Sequence, residues 1–166
     1  ELAAYLDDEI APALTAMGYA CRRLENPKGP RMPFLFAERR EGADRPTVLT
    51  YGHGDVVRGM EEDWRDGLDP WRLTREGERW YGRGTADNKG QHSINIAGLA
   101  AVLAVKGSLG FTSKILIETG EEMGSPGLHD VARRHADSLG ADVLIGSDGP
   151  RLLTERATLF TGSRGC

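Results

Sequence analysis

The sequence predicts an α/β domain, a parallel sheet carrying helices on both sides. Apolar runs of strand length alternate with segments of helical period, which is the pattern of such a fold. The later strand candidates are apolar throughout rather than alternating, as strands covered on both faces are. The 166 residues are close to the commonest domain size and suffice for one domain with a real core.

Taken in order, Leu2, Leu6, Ile10, Leu14 and Met17 recur at helical spacing and Gly18 follows, predicting an amphipathic packing helix closed by a glycine cap. "FLFAER" (34–39) and "TVLTYG" (47–52), with "REGADRP" between them, read as two strands joined by a turn. Residues 58–80 are polar and lack clear periodicity, so they read as a long surface excursion. Ile94, Ala97, Gly98, Ala101, Val102 and Val105 make one apolar helical face. "KILIE" (114–118) reads as a short buried strand. Ser125 and Pro126 supply an N-cap and a first-turn proline for a helix with Leu128, Val131, Ala132 and His135 on one face. "DVLIG" (142–146) reads as another buried strand.

Composition narrows the function. The formal charge is −4, from 21 basic and 25 acidic residues, and no basic run stands out, so nucleic acid is set aside. The longest nearly apolar stretch, "INIAGLAAVLAV" (94–105), is too short to span a bilayer, which sets a membrane aside. The opening "ELAAYLDDEI" is acidic where a secretory signal is basic and then apolar, and a cytoplasmic protein is expected. Cys21 and Cys166 are too few for a disulfide framework or a thiolate metal site and read as free thiols.

In sheets of this kind the ligand lies beyond the carboxyl ends of the strands, and the unusual residues collect there. "TVLTYG" runs into His53-Gly54-Asp55, "KILIETG" into Glu121-Glu122 and "DVLIGS" into Asp148-Gly149-Pro150, while Asp87 sits in the glycine-flanked "YGRGTADNKG" ahead of a helix. Each is ordinary alone. A histidine after a strand is usually a hydrogen-bonded turn residue, an aspartate before glycine a turn former, and a glutamate pair a solvated face. Four such segments on one edge instead suggest a two-metal site, since imidazole nitrogen and carboxylate oxygen are zinc ligands and one carboxylate can bridge two ions. Asp55 is close enough to His53 to take its other ring proton and fix the ring. Glu121 and Glu122 can then differ, one binding metal and one moving a proton. "GRGTAD" suggests a dinucleotide fingerprint, but Asp87 stands where the third glycine is required.

"HGDVV", "YGRGTADNKG", "ETGEEMGSPG" and "SDGP", in this order over residues 47–166, resemble the co-catalytic di-zinc metallopeptidase and deacylase family. Its branches include carnosinase, bacterial dipeptidases, aminoacylase, acetylornithine deacetylase, succinyl-diaminopimelate desuccinylase and glutamate carboxypeptidase. The resemblance implies a three-layer, zinc-exopeptidase-like sandwich with a mostly parallel, mixed sheet. It implies His53, Asp87 and Asp148 as ligands of one zinc, Asp87 bridging to a second zinc bound by Glu122, Asp55 orienting His53, and Glu121 as general base for the activated water. Manganese or cobalt are alternatives to zinc. An aspartate at position 148 resembles the carnosinase and dipeptidase branches and tilts the substrate towards a small peptide, with an N-acyl amino acid as the alternative.

Two departures stand out. Arg58 occupies a place where many relatives carry proline. The family's last zinc ligand is a histidine late in the catalytic domain, and His92, His129 and His135 lie in other contexts. The terminal "LFTGSRGC" resembles the strand that opens the lid domain. Residues 1–166 are therefore expected to be the amino-terminal part of the catalytic domain, lacking the lid and dimerisation domain and the carboxyl-terminal part of a homodimeric enzyme. A chain of this extent is expected to be inactive alone, and a catalytically silent metal-binding fragment is the competing reading. A two-metal phosphoesterase is set aside for want of an Asn-His-acid segment.

Overall fold

The computed structural model describes residues 1–149 and Arg156; Pro150, "LFTGSRGC" and Cys166 within it lie outside the described residues. The chain opens with helix α1, made of an α-helical turn Leu2–Ala4, a wider π-helical stretch Tyr5–Ile10 and an α-helical stretch Ala11–Ala16. Pro12 has no N–H to offer the preceding turn. Leu6, Ile10 and Leu14 recur every four residues, so wider turns keep all three buried on one side. Gly18, at φ 81°, ends the helix.

The strands are β1 (Ala20–Leu24), β2 (Phe34–Arg39), β3 (Thr47–His53), β4 (Thr74–Glu76), β5 (Arg79–Tyr81), β6 (Thr112–Glu118) and β7 (Val143–Gly146). The remaining α-helices among the described residues are α2 (Lys89–Lys106), α3 (Leu128–Arg134) and α4 (Ala136–Leu139). The main sheet has the order β1-β2-β6-β3-β7. The pairs β1–β2 and β2–β6 are antiparallel, whereas β3 runs parallel to both β6 and β7, so the sheet is mixed.

Alternation along the strands builds three layers. Leu35, Ala37, Ile115 and Ile117 face α1 and the Ile96 and Leu99 side of α2. Phe34, Phe36 and Leu116 face Val131 and Leu139 of α3 and α4.

Several expectations need correction. The strands at 34–39 and 47–52 are not neighbours, because β6, buried at every residue, lies between them. Seven linking residues are ample to step over one strand at a spacing of about 4.8 Å. Strand β1, with Arg22 and Arg23 in its middle, was not legible as a strand; the Arg22 guanidinium lies 5.0 Å from the centre of the Phe36 ring. The surface excursion holds the β4–β5 hairpin, turned at Gly77 with φ 61°. Helix α2 packs through His92, Ile96 and Leu99, and its expected face is outside, with Ile94 72% and Val105 84% exposed. A helix apolar nearly all round does not declare its inner face by periodicity. Among the described residues strand β7 is an edge strand, with Val143, Leu144 and Ile145 exposed rather than buried. Ser125 caps no helix: its φ is 52°, helix α3 starts after Gly127, and its hydroxyl donates to the buried Glu118 carboxyl at 2.9 Å. Among the described residues no helix is long and apolar enough to cross a membrane.

Candidate metal centre

Strands β3, β6 and β7 run parallel, so their carboxyl ends share one edge. His53 is the last residue of β3 and is wholly buried. Gly54 bonds through its N–H to the Glu118 carbonyl at 2.8 Å, and a Cβ there would stand 2.8 Å from the Tyr5 ring, so the chain can pass only as glycine. The His53 ring then meets carboxylates on both sides. Nε2 is 3.0 Å from Asp87 Oδ1, 3.6 Å from Asp148 Oδ2 and 3.8 Å from Glu121 Oε2. Nδ1 is 3.3 Å from Asp55 Oδ1 and 3.2 Å from the Asp55 carbonyl.

Asp55 has a second task. Its two carboxylate oxygens accept the backbone N–H groups of Glu121, at 3.2 Å, and Glu122, at 3.0 Å. One buried acid thus ties the histidine to the start of the acidic turn. That turn, Glu121–Met123, is a single 3₁₀ turn closed by Gly124 at φ 83°. Behind it Glu118 is fully buried, and both the Tyr51 hydroxyl and the Ser125 hydroxyl donate to its carboxyl.

Asp87 sits at the end of a tight loop. The Gly90 N–H reaches the Gly84 carbonyl at 2.9 Å, and any side chain at Gly90 would collide with the Thr85 carbonyl oxygen. A cis peptide joins Asp87 to Asn88. Lys89 donates to the Gly54 carbonyl and stands 4.9 Å from the centre of the Tyr5 ring.

The charges act on one another across this edge. Burial opposes a charge on His53, but its hydrogen bond to Asp55 and the attraction of Asp55, Asp148 and Glu121 carry its pKa up to about 9. Burial works against the Asp55 charge as well, and the bonds from His53 and the Glu122 N–H outweigh it and hold this carboxyl low. Glu121 is raised by burial and by repulsion from Asp148, Asp55 and Asp87, with His53 opposing. Burial and then Asp87 raise Glu122.

His53, Asp87 and Asp148 each offer one donor atom within 4.8 Å of the others. Glu122 stands outside that set of mutual distances and feels Asp87 through its charge. A cleft of about 860 Å³ opens beside Asp87 and Asp148, walled by Thr85, Ile94, Asn95 and Ser147. One imidazole nitrogen among converging carboxylates is a donor set suited to a divalent cation such as zinc. Sequence reasoning missed Asn88, Lys89, Tyr51 and Glu118 around this centre. Their signal was thin: a polar residue beside a glycine-rich loop and an acid within a buried strand.

The sequence profile of Peptidase family M20/M25/M40 matches residues 49–158. A beta-Ala-His dipeptidase of Rattus norvegicus is 34% identical over 139 residues, covering 82% of this chain and 28% of the relative. A succinyl-diaminopimelate desuccinylase of Delftia acidovorans is 35% identical over 116 residues, covering 68% of this chain and 30% of the relative. The crystal structure of human carnosine dipeptidase 1 superposes with a TM-score of 0.76 at 29% identity, over 87% of this chain and 32% of that one. The chain thus spans about three tenths of the length of the relatives it matches. With the profile running from the middle of β3 past Asp148 and the fold shared as well, the chain belongs to Peptidase family M20/M25/M40.

Proposed function

We propose that the protein hydrolyses the amide bond of small peptides, as a dipeptidase-like exopeptidase, through two zinc ions. His53, Asp87 and Asp148 would hold one ion, and Asp87 and Glu122 would share in holding the other. The observation that carries this reading is the His53 ring nitrogen facing three carboxylates from three separate segments at 3.0, 3.6 and 3.8 Å. Zinc bound there would lower the pKa of a water and polarise the scissile carbonyl, with manganese or cobalt able to serve in its place.

The residues of this chain divide the remaining work. Asp55 holds the His53 ring and, through the Glu121 and Glu122 N–H groups, the base of the acidic turn. Glu121 takes the proton of the attacking water and delivers it to the leaving amine. Its carboxyl is partly exposed and its pKa raised by burial and neighbouring acids, which favours a group that must both accept and release a proton.

A second reading, an N-acyl-amino-acid deacylase, is favoured by the 35% identity to the desuccinylase. We take residues 1–166 as the amino-terminal part of the catalytic domain of a homodimeric enzyme, supported by the share of the relatives that they span and by the exposed apolar faces of α2 and β7.

The test is Glu121→Ala in the purified enzyme, assayed on β-alanyl-histidine and on N-succinyl-diaminopimelate with metal content measured in parallel. Turnover is expected to fall about 10²- to 10⁴-fold while both ions stay. Loss of the ions with the turnover would make Glu121 a ligand and overturn the division of roles.

A further inference from the structure

Helix α2 is entered through Asn88, whose side chain is wholly buried and bonded at both ends. Its Oδ1 accepts the His53 backbone N–H at 3.1 Å and the His92 Nδ1–H at 3.1 Å, and its Nδ2 donates to the Ser147 carbonyl. The amide cannot be turned over. The His53 N–H only donates and the Ser147 carbonyl only accepts, so a flipped amide loses both bonds. His92 agrees with this direction: the Tyr5 hydroxyl lies 2.6 Å from Nε2 and donates there, which leaves Nδ1 as the donor of a neutral ring. Burial, with Lys89 and His53 adding, keeps that ring neutral by lowering its pKa to about 4.

The place of this amide is unusual. The parallel ladder between β3 and β7 runs from Val48↔Val143 to Tyr51↔Gly146 and stops there. Past that point Asn88 connects His53 to Ser147, standing where further backbone rungs would close the strands to about 4.8 Å. A side chain inserted between two strand ends holds them apart. The opening lies between His53 and Asp148, whose donor atoms are 3.6 Å apart. Two turns further along the helix Asn95 donates to the Ser147 hydroxyl at 2.8 Å, a second hold on the same residue. Strand β3 makes room for the amide with Gly52, where a Cβ would stand 2.8 Å from Asn88 Oδ1 and 3.0 Å from His92 Cβ.

We infer that Asn88, seconded by Asn95, is a positioning residue that sets the spacing of the His53, Asp87 and Asp148 donor atoms. It is bonded to the backbone of the first, joined covalently to the second and bonded to the residue before the third. Among the described residues β7 is an exposed edge strand, with Val143, Leu144 and Ile145 turned outward just before Asp148. The inference rests on the metal reading given above.

The experiment titrates zinc into metal-stripped wild type, Asn88→Asp, Asn95→Ala and Asp87→Ala, with folding checked by circular dichroism. Asn88→Asp keeps the size and the acceptor for His53 but sets a second oxygen against the Ser147 carbonyl, and its zinc affinity is expected to fall 10- to 100-fold. Asn95→Ala is expected to lose 3- to 10-fold, and it carries the test should Asn88→Asp not fold. Cobalt-loaded protein supplies the readout that a merely structural role would not move: the visible absorption bands should shift in both asparagine variants relative to wild type. Zinc affinity within twofold of wild type and an unshifted cobalt spectrum in the folded variants would overturn the inference while Asp87→Ala still abolishes binding. Should Asp87→Ala bind zinc as wild type does, the metal reading itself fails and this inference falls with it.

Discussion

The two flanks of the sheet are built differently. On the flank of β1, β2 and β6, Leu6, Leu14, Phe34, Leu35, Ile117 and Val131 have at most 1% of their surface exposed. On the flank of β7 and the outer side of α2, Leu144, Ile94 and Val105 are between 68% and 84% exposed. The candidate metal centre straddles the boundary. His53, Asp55, Glu121 and Glu122 hang from strands β3 and β6, and Asp55 clamps the histidine and the acidic turn together. Asp148 follows the exposed strand, and the residue before it, Ser147, is held by the amides of Asn88 and Asn95. The same small site is therefore held by apolar packing and a charged clamp on one side and by neutral hydrogen bonds on the other.

The sharpest way to break this comparison is to shave both flanks equally. Leu14→Ala should cost about 2–5 kcal/mol of folding stability, because the cavity it leaves is closed on all sides. Val105→Ala, on the open side, should stay within about 0.5 kcal/mol of wild type. Equal losses in urea unfolding would mean that the exposed face is packed in solution.

A smaller effect is expected from the clamp. Asp55→Ala removes the partner of the His53 ring and of two backbone N–H groups, and zinc affinity should drop about 10- to 100-fold by calorimetric titration. An unchanged affinity would show that the packed flank alone holds the ring.

The gentlest probe is pH. Metal-free His53 has its pKa raised from 6.5 to about 9, so the stability that its charge contributes is full below pH 6.5 and is lost as the pH climbs through 9. Zinc binding requires the neutral ring, so each ion taken up at His53 displaces a proton over that same window. Zinc affinity should therefore rise steadily from pH 6.5 to 9 while the unfolding midpoint of the metal-free protein falls. An affinity flat over that range would remove the acids around His53 as the cause of its shift.

Much of the fold was legible in the residues. Leu6, Ile10 and Leu14 declared the first helix, and "KILIE" declared a strand buried on both faces. What failed did so for identifiable reasons. β1 hides behind two arginines, Arg22, whose guanidinium lies over the Phe36 ring, and Arg23, which pairs with Asp7 at 2.7 Å. "DVLIG" reads as interior because composition does not distinguish an edge strand from a central one. The inner face of α2 was misjudged because apolar residues surround that helix, and the choice of face follows polar partners, among them His92 bonded to Tyr5 and Asn88.

The sequence by itself determined the chemistry available at the edge of the sheet: a histidine, a bridging-capable aspartate, paired glutamates and a further aspartate, each placed by local signals at a strand end or in a glycine-rich loop. Only the tertiary structure decided how those groups meet. Asp55 turned from the partner of one ring into a clamp on two backbone amides 66 and 67 residues away in sequence, and Asn88 became the link between His53 and Ser147. Local rules act over a few residues and therefore specify which groups stand at each strand end. The distance between two strand ends depends on the register and order of strands far apart in the chain, and on whatever side chain is wedged between them.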